Sequence, residues 1–365
     1  EIEGSLQWVF SKDFTKSLWV GTSAGLTYLK LKPAQKDIRE LLKANSLRSS
    51  IELGQDEMLF STELNGWFLW DEKKDTVSTF SIFQDGQQLV TNFNRGFYFD
   101  EQGYLWASSG SGILKVNNQN RTALSFETPF TVESFLRLNN GHFLIGGYNN
   151  SLKVFNPSTK SFSSYMPEAD SVCKKTGICH YLLESQKGII WAGTEKGLLK
   201  LDKREKLFKL YTIQEGLGSN SVLTIHEEPD ANLWLGTINA GLNIFDPKTE
   251  QLRILDKKNG LPNNCIVSIQ KDKDGDFWIG TFDGISRYNP QKNTFSNYTS
   301  EDGLSHSEFN RYASYKKEDG RLCFGTLHGM DVFDPEVLKA KELAPKLLLR
   351  SLTYFDRTKE AQVTL

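Results

Sequence analysis

The sequence predicts an all-β fold, a β-propeller of four-stranded antiparallel blades, seven or eight in number. Three observations predict it. A strand written Trp-x-Gly-Thr in its clearest copies recurs along the 365 residues, centred on positions 19, 60, 106, 144, 191, 234, 278 and 323. Successive copies stand 38–47 residues apart, the period of a unit that supplies one small sheet. The turn signals recur in phase with the strand, as Asp274-Gly275 before it and Asp283-Gly284 after it in the seventh copy. A β-sandwich gives no reason for that phase and is set aside.

The seventh copy, residues 261–299, shows the unit best. Ile266, Ser268 and Gln270 alternate with Val267, Ile269 and Lys271, the period-2 pattern of a first strand. Phe277-Trp278-Ile279-Gly280-Thr281 is the second strand and Ile285-Ser286-Arg287-Tyr288 the third. Asn289-Pro290 stops it, because Pro offers no N–H to a ladder. Phe295-Ser296-Asn297-Tyr298 is the fourth. One such meander cannot cover both of its faces, so the copies must cover each other.

The remaining units follow in order. The first spans about Leu6 to Leu42, with an uncertain fourth strand in 36–43. The second is degenerate, with Trp67-Phe68-Leu69-Trp70 as its third strand. The third and fourth turn at Gln102-Gly103 and Asn140-Gly141, and the fifth to seventh are the most regular. Glu215-Gly216-Leu217, Asn259-Gly260-Leu261 and Asp302-Gly303-Leu304 connect units, the Gly allowing the reversal into the next first strand. The eighth runs over Phe309–Tyr315, Leu322–Thr326 and Met330–Pro335 and lacks an obvious fourth strand. The propeller is therefore assigned to 1–335, and 336–365 to a connector and the first strand, around Lys346–Phe355, of a truncated β-sandwich domain. The chain is expected to be part of a larger protein.

Composition narrows the function. Aromatic residues make up 12% and the net charge is −2, with no basic stripe, so nucleic acid is excluded as a partner. No apolar run approaches the roughly 20 residues that cross a bilayer, so membrane association is expected only through segments outside this chain. Residue 1 is Glu and no leader follows, so a signal peptide is expected to have been removed or to lie outside the sequence. Cys265 and Cys323 fall on strands as small apolar residues, whereas Cys173 and Cys179 flank a loop and are left open between a disulfide and two thiols.

The motif Gly-Leu-x-x-Asn-x-Val/Ile, then Asp-Gly-x-Phe/Leu-Trp-Ile/Leu-Gly-Thr, Gly-Leu/Ile and Tyr/Phe-Asp/Asn-Pro resembles the two-component regulator propeller repeat. Gly216–Pro247 and Gly260–Pro290 carry it most closely. Met330-Asp331-Val332-Phe333-Asp334-Pro335 followed by Ala344-Pro345-Lys346-Leu347 is similar to the join between a last blade and an immunoglobulin-like domain. The resemblance implies the periplasmic sensor region of a hybrid two-component system regulator, detecting polysaccharide fragments ahead of a membrane helix and a histidine kinase or diguanylate cyclase. Family propellers usually have seven blades, which leaves the first of the eight units to a neighbouring propeller, or to an eight-bladed ring, or one weak unit incomplete.

Catalysis needs paired acid and base groups or an activated nucleophile. The five histidines form no such pattern, so no catalytic residue, cofactor or metal is assigned and the fragment is read as non-enzymatic. The crowd of Asp272, Asp274 and Asp276 is interleaved with Lys271 and Lys273 and reads as a solvated hairpin, not a calcium loop. Binding is the better reading. Loops entering the first strand and loops between the second and third strands open on one face, where Arg95, Tyr148, Asn149, His180, Glu195, Asn239, Asp283, Arg311 and His328 are the candidate ligand-binding residues. The expected partner is a small-molecule or oligosaccharide ligand, with signalling through domain or homodimer rearrangement. The alternatives are a protein-binding scaffold in envelope assembly or secretion, and a propeller lyase.

Overall fold

In the computed structural model, residues 46–128, 130–148 and 152–339 are described, with the backbone of 7–12, 18–22, 25–29, 340–341, 353–356 and 361–364. Seven antiparallel sheets fill residues 47–333, each with its strands in sequence order from first to last. They are blades I to VII. Their first strands are Leu47–Gly54, Phe97–Phe99, Ser134–Arg137, Cys179–Glu184, Val222–Glu227, Ile266–Lys271 and Phe309–Lys316. Blade VII has three strands among the described residues. Blade II is widened by a small hairpin, Phe83–Gln84 and Gln87–Gln88, whose Phe83 pairs in parallel with Thr122 on its outer edge. That addition had no signal in the repeat.

Each motif residue has a physical task. The Trp of one blade is the plug between it and the next. Trp191 packs with Leu217, Val222 and Phe245, and Trp234 stacks on Phe277 with ring centres 3.6 Å apart. Trp278 lies against Phe333 and Trp106 against Phe143. The Gly that follows leaves room for the neighbour's first strand. A Cβ on Gly236 would stand 2.9 Å from the carbonyl oxygen of Ile266, and one on Gly193 would stand 2.8 Å from that of Val222. The Thr ends the strand by donating its hydroxyl across the turn, Thr194 to Gly197, Thr237 to Gly241 and Thr281 to Gly284, at 2.7–2.8 Å.

The connectors confirm the tight reversal. Gly216, Gly260 and Gly303 hold φ of 103°, 115° and 101°, a region open to Gly without penalty. Each closes a one-turn helix whose N-cap, Thr212, Asp256 or Thr299, is in a capping box with the helix's third residue, Glu215, Asn259 or Asp302.

The ring closes between blades VII and I. Cys323, Met330 and Val332 share a core cluster with Leu47, Met58, Phe60 and Trp70, so Cys323 fills the place that Trp takes elsewhere. On the same seam the Lys317 ammonium, 2% exposed, meets Glu72 at 2.6 Å and Glu52 at 3.5 Å, and Arg321 also binds Glu72. A buried cation of this kind persists only when it is paired.

The first repeat is not among these seven sheets. Gln7–Lys12, Leu18–Thr22 and Gly25–Leu29 form a separate three-stranded antiparallel sheet, and residues 1–33 with 334–365 make a compact unit distinct from 34–333. In that unit Pro335–Lys341 is helical, and Thr353–Asp356 pairs with Ala361–Thr364. The reading of residues 36–43, and of 346–352 as strand, falls outside the described residues.

Candidate functional site

The seven first strands surround the propeller axis and line a cavity of about 560 Å³. Its wall is aromatic and polar together, with Tyr98, Tyr181, Tyr315 and Phe135 beside Ser50, Ser314 and Gln270. Arg95, His180 and Tyr312 lie in the wall as well. Burial raises the phenol pKa of Tyr98 and Tyr181 and pushes Tyr315 up to about 12, so all three are neutral donors or acceptors.

What aims side chains at the mouth is a β-bulge near the start of the first strand. In blade VI Ile266 faces Thr281 and Ser268 faces Gly280, so Val267 is the extra residue. The same slip leaves Leu223 extra in blade V, His180 in blade IV and Arg48 in blade I. A bulge leaves its extra residue out of the ladder and redirects its side chain. In blade VII the slip is longer. Phe309 faces Thr326 but the next pair is Ser314 with Phe324, and Tyr312 takes φ 66°, a strained value for an aromatic residue.

These positions converge. The Arg311 guanidinium crosses from blade VII to blade IV and its Nη1 lies 3.2 Å from Nδ1 of His180. Arg95 reaches Glu133 at 3.2 Å and Glu63 at 3.4 Å, with its guanidinium 5.5 Å from the Tyr312 ring centre. Arg48 binds Glu63 and donates to Asn310 Oδ1 at 2.8 Å. Burial lowers the Arg48 pKa, opposed by Glu63 and reinforced by Arg95 and Arg311, so the three cations feel one another. Burial, then Arg311, push His180 down to about 3, and burial pushes Tyr312 up to about 12. The imidazole is neutral at physiological pH.

Of the residues expected from sequence, Arg95, His180 and Arg311 meet at this mouth. Tyr148, Glu195, Asn239, Asp283 and His328 do not line the cavity. Tyr148 is 59% exposed and forms an isolated bridge with Ile178. Glu195 accepts from the Ile178 N–H at 3.3 Å, and Asn239, at φ 66°, contacts the Cys265 thiol at 3.2 Å. Asp283 sits in the exposed turn after Thr281, and the His328 ring packs edge-on to His306. Asn149 lies outside the described residues. Arg48, Glu63, Glu133 and Tyr312 were not expected. Aligning the first strands on Leu47-Arg48-Ser49, Cys179-His180-Tyr181 and Ile266-Val267-Ser268 would have singled out Arg48.

One reading needs correction. Asp272 and Asp276 are buried rather than solvated, and only Lys273 and Asp274 at the tip of the turn are exposed. Asp272 accepts the backbone N–H of Asp274 and Asp276 and the Trp278 indole N–H, at 2.9–3.0 Å, and Asp276 accepts from Asn289 at 2.7 Å. Asp100 does the same for Trp106. The carboxylates therefore anchor the plug between blades. Among the described residues no group of three His, Cys, Asp or Glu side chains is placed to hold a metal, and no helix is long and apolar enough to cross a membrane. Cys173 and Cys179 are separate buried thiols, pushed up to about 11 and about 12 by burial.

Comparison with known proteins agrees with the fold. Residues 260–283 match the family described as two component regulator propeller. The structure is similar to the extracellular domain of BT3049 from B. thetaiotaomicron, assigned to a hybrid two component system, with TM-score 0.74 and 19% identity over 99% of this chain and 50% of that one. The chain thus spans about half the length of that domain. It is also similar to a catalytically inactive variant of virginiamycin B lyase from Staphylococcus aureus with quinupristin, at TM-score 0.60 and 11% identity over 80% of this chain and 95% of that one. The WD40 propeller of Doa1 scores 0.59 at 13% identity, over 80% and 94% of the two chains. At these identities the likeness is one of fold. No curated protein matches the chain.

Proposed function

We propose that this chain is the sensing propeller of an extracytoplasmic sensor protein of the two-component class, taking a carbohydrate-derived ligand at its axial mouth. The observation that carries the reading is the meeting of Arg95, His180 and Arg311, from blades II, IV and VII, over a cavity walled by tyrosines. Aromatic rings stack on sugar faces while fixed donors and acceptors choose among hydroxyls. The repeat at 260–283 and the fold shared with an extracellular domain of a hybrid two-component system support the class. A periplasmic location and an output kinase beyond this chain belong to the same reading.

The lyase likeness is the second reading, and two observations weigh against it. An imidazole held near pKa 3 is a weak base and cannot store a proton at neutral pH, whereas acid–base catalysis works best near the operating pH. The two mouth carboxylates, Glu63 and Glu133, are already engaged by guanidinium groups.

Thermal-shift and calorimetric screening of an oligosaccharide panel tests the proposal. A ligand at 100 times its Kd stabilises the native state by about 2.7 kcal/mol, an easily measured rise in Tm. The Arg311→Ala variant should keep its own Tm within about 1 kcal/mol of stability yet lose at least tenfold in affinity. A panel that moves neither Tm nor heat sinks the sensing reading.

A further inference from the structure

We infer that the ligand taken at this mouth is an acidic saccharide whose carboxylate or sulfate oxygens lie among Arg311, Arg95 and His180. The inference rests on the sensing reading above and adds the chemical class of the ligand.

The donors argue for it. A guanidinium can only donate, so Nδ1 of His180 must be the acceptor from Arg311 and the ring proton sits on Nε2. Beside it stands the Arg95 guanidinium, whose side chain is 6% exposed and whose buried Nε has no hydrogen-bond partner among the described residues. An unmatched buried donor in a cavity wall is an acceptor's place left open. Ser50 Oγ, another wall atom, is likewise buried without a partner.

Charge argues in the same direction. Two carboxylates, Glu63 and Glu133, serve two guanidinium groups, Arg48 and Arg95. Arg311 forms no ion pair among the described residues, and its side chain meets a neutral imidazole. The mouth therefore carries one more cation than anion. A neutral sugar hydroxyl would leave that excess in place, whereas a planar carboxylate or a sulfate matches the guanidinium fork. The Tyr312 ring, pushed toward the axis by the long bulge and already facing Arg95, offers the flat surface against which the pyranose would lie.

Calorimetry on the folded chain decides the matter. The probes are galacturonate, glucuronate and mannuronate trisaccharides, sulfated disaccharides, and the carboxyl-reduced or desulfated form of each. At least one charged probe should bind tenfold or more tighter than its neutralised form, and the margin should shrink as salt rises. Whichever charged series binds separates carboxylate from sulfate. Arg311→Gln should cost the charged probe at least tenfold more than it costs the neutral one, while Arg311→Lys recovers part of that loss. Equal binding of charged and neutral forms overturns the inference and leaves the sensing reading standing. No binding by any probe overturns both. The comparison of charged with neutral probes uses the wild-type chain, so a variant that folds poorly does not decide it.

Discussion

Blades VI and VII enter the axis in different ways. In blade VI one residue, Val267, is extra, apolar and buried. In blade VII the stretch from Asn310 to Ala313 leaves the ladder, carrying a guanidinium and a phenol to the axis and holding Tyr312 at φ 66°. Both blades keep the second strand intact, Phe277–Thr281 in one and Leu322–Thr326 in the other. The repeat thus preserves what one sheet presents to the next, and binding chemistry is placed where the repeat lapses. Strain of the kind at Tyr312 is tolerated only where surrounding structure enforces it.

The comparison breaks if the plug position matters equally in both blades. Trp278 is fully buried, stacks on Tyr298 and donates to Asp272. Trp278→Ala should cost about 3–5 kcal/mol in urea unfolding, while Cys323→Ala, at the same place in blade VII, should cost about 1 kcal/mol. Similar losses at the two sites would show that blade VII is not the relaxed copy.

A second measurement sharpens the electrostatic side. The folded pKa of His180 lies far below its unfolded value of 6.5. Between those two values the unfolded chain holds the proton and the native chain does not, so native stability falls as pH drops below about 6.5 and levels off near 3. Replacing the imidazole by His180→Gln should flatten that slope, leaving a difference of about 1–3 kcal/mol at pH 4 and none above pH 7. Parallel pH profiles would mean that the ring is solvated.

A third test concerns the Gly that lets neighbouring blades close. A Cβ at Gly236 would come within 2.5 Å of Thr224 Cγ2 and 2.7 Å of Ile266 Cγ2. Gly236→Ala should cost about 1–3 kcal/mol by overpacking, with saccharide affinity unchanged. Lost affinity at equal stability would tie the mouth to that distant contact.

The scaffold was open to reading because its instructions are local and repeated. Trp278, Gly280 and Thr281 recur at a fixed offset, and each has one task set by a neighbouring strand or turn. The mouth was only half open. Arg95, His180 and Arg311 stood out as polar residues entering first strands, but Tyr148, Glu195, Asn239, Asp283 and His328 are on loops that do not line the axial cavity. Periodicity fixes the face and not the radius, and the radius decides which loops meet. Tyr312 escaped notice because the units were aligned on their second strands, whereas the extra residues of blade VII lie upstream, between Phe309 and Ser314. Arg48 and Glu63 lie in the degenerate second repeat, where no motif directs attention.

His180 and Arg311 stand on the first strands of blades IV and VII, and Arg95 on the connector that enters the first strand of blade II. An occupant held by all three would act as a tripod brace, because sectors pinned to one rigid body can no longer tilt independently. Its signature would then be a general stiffening, visible as slower amide exchange in first strands that supply none of the three, such as Val222–Glu227 of blade V.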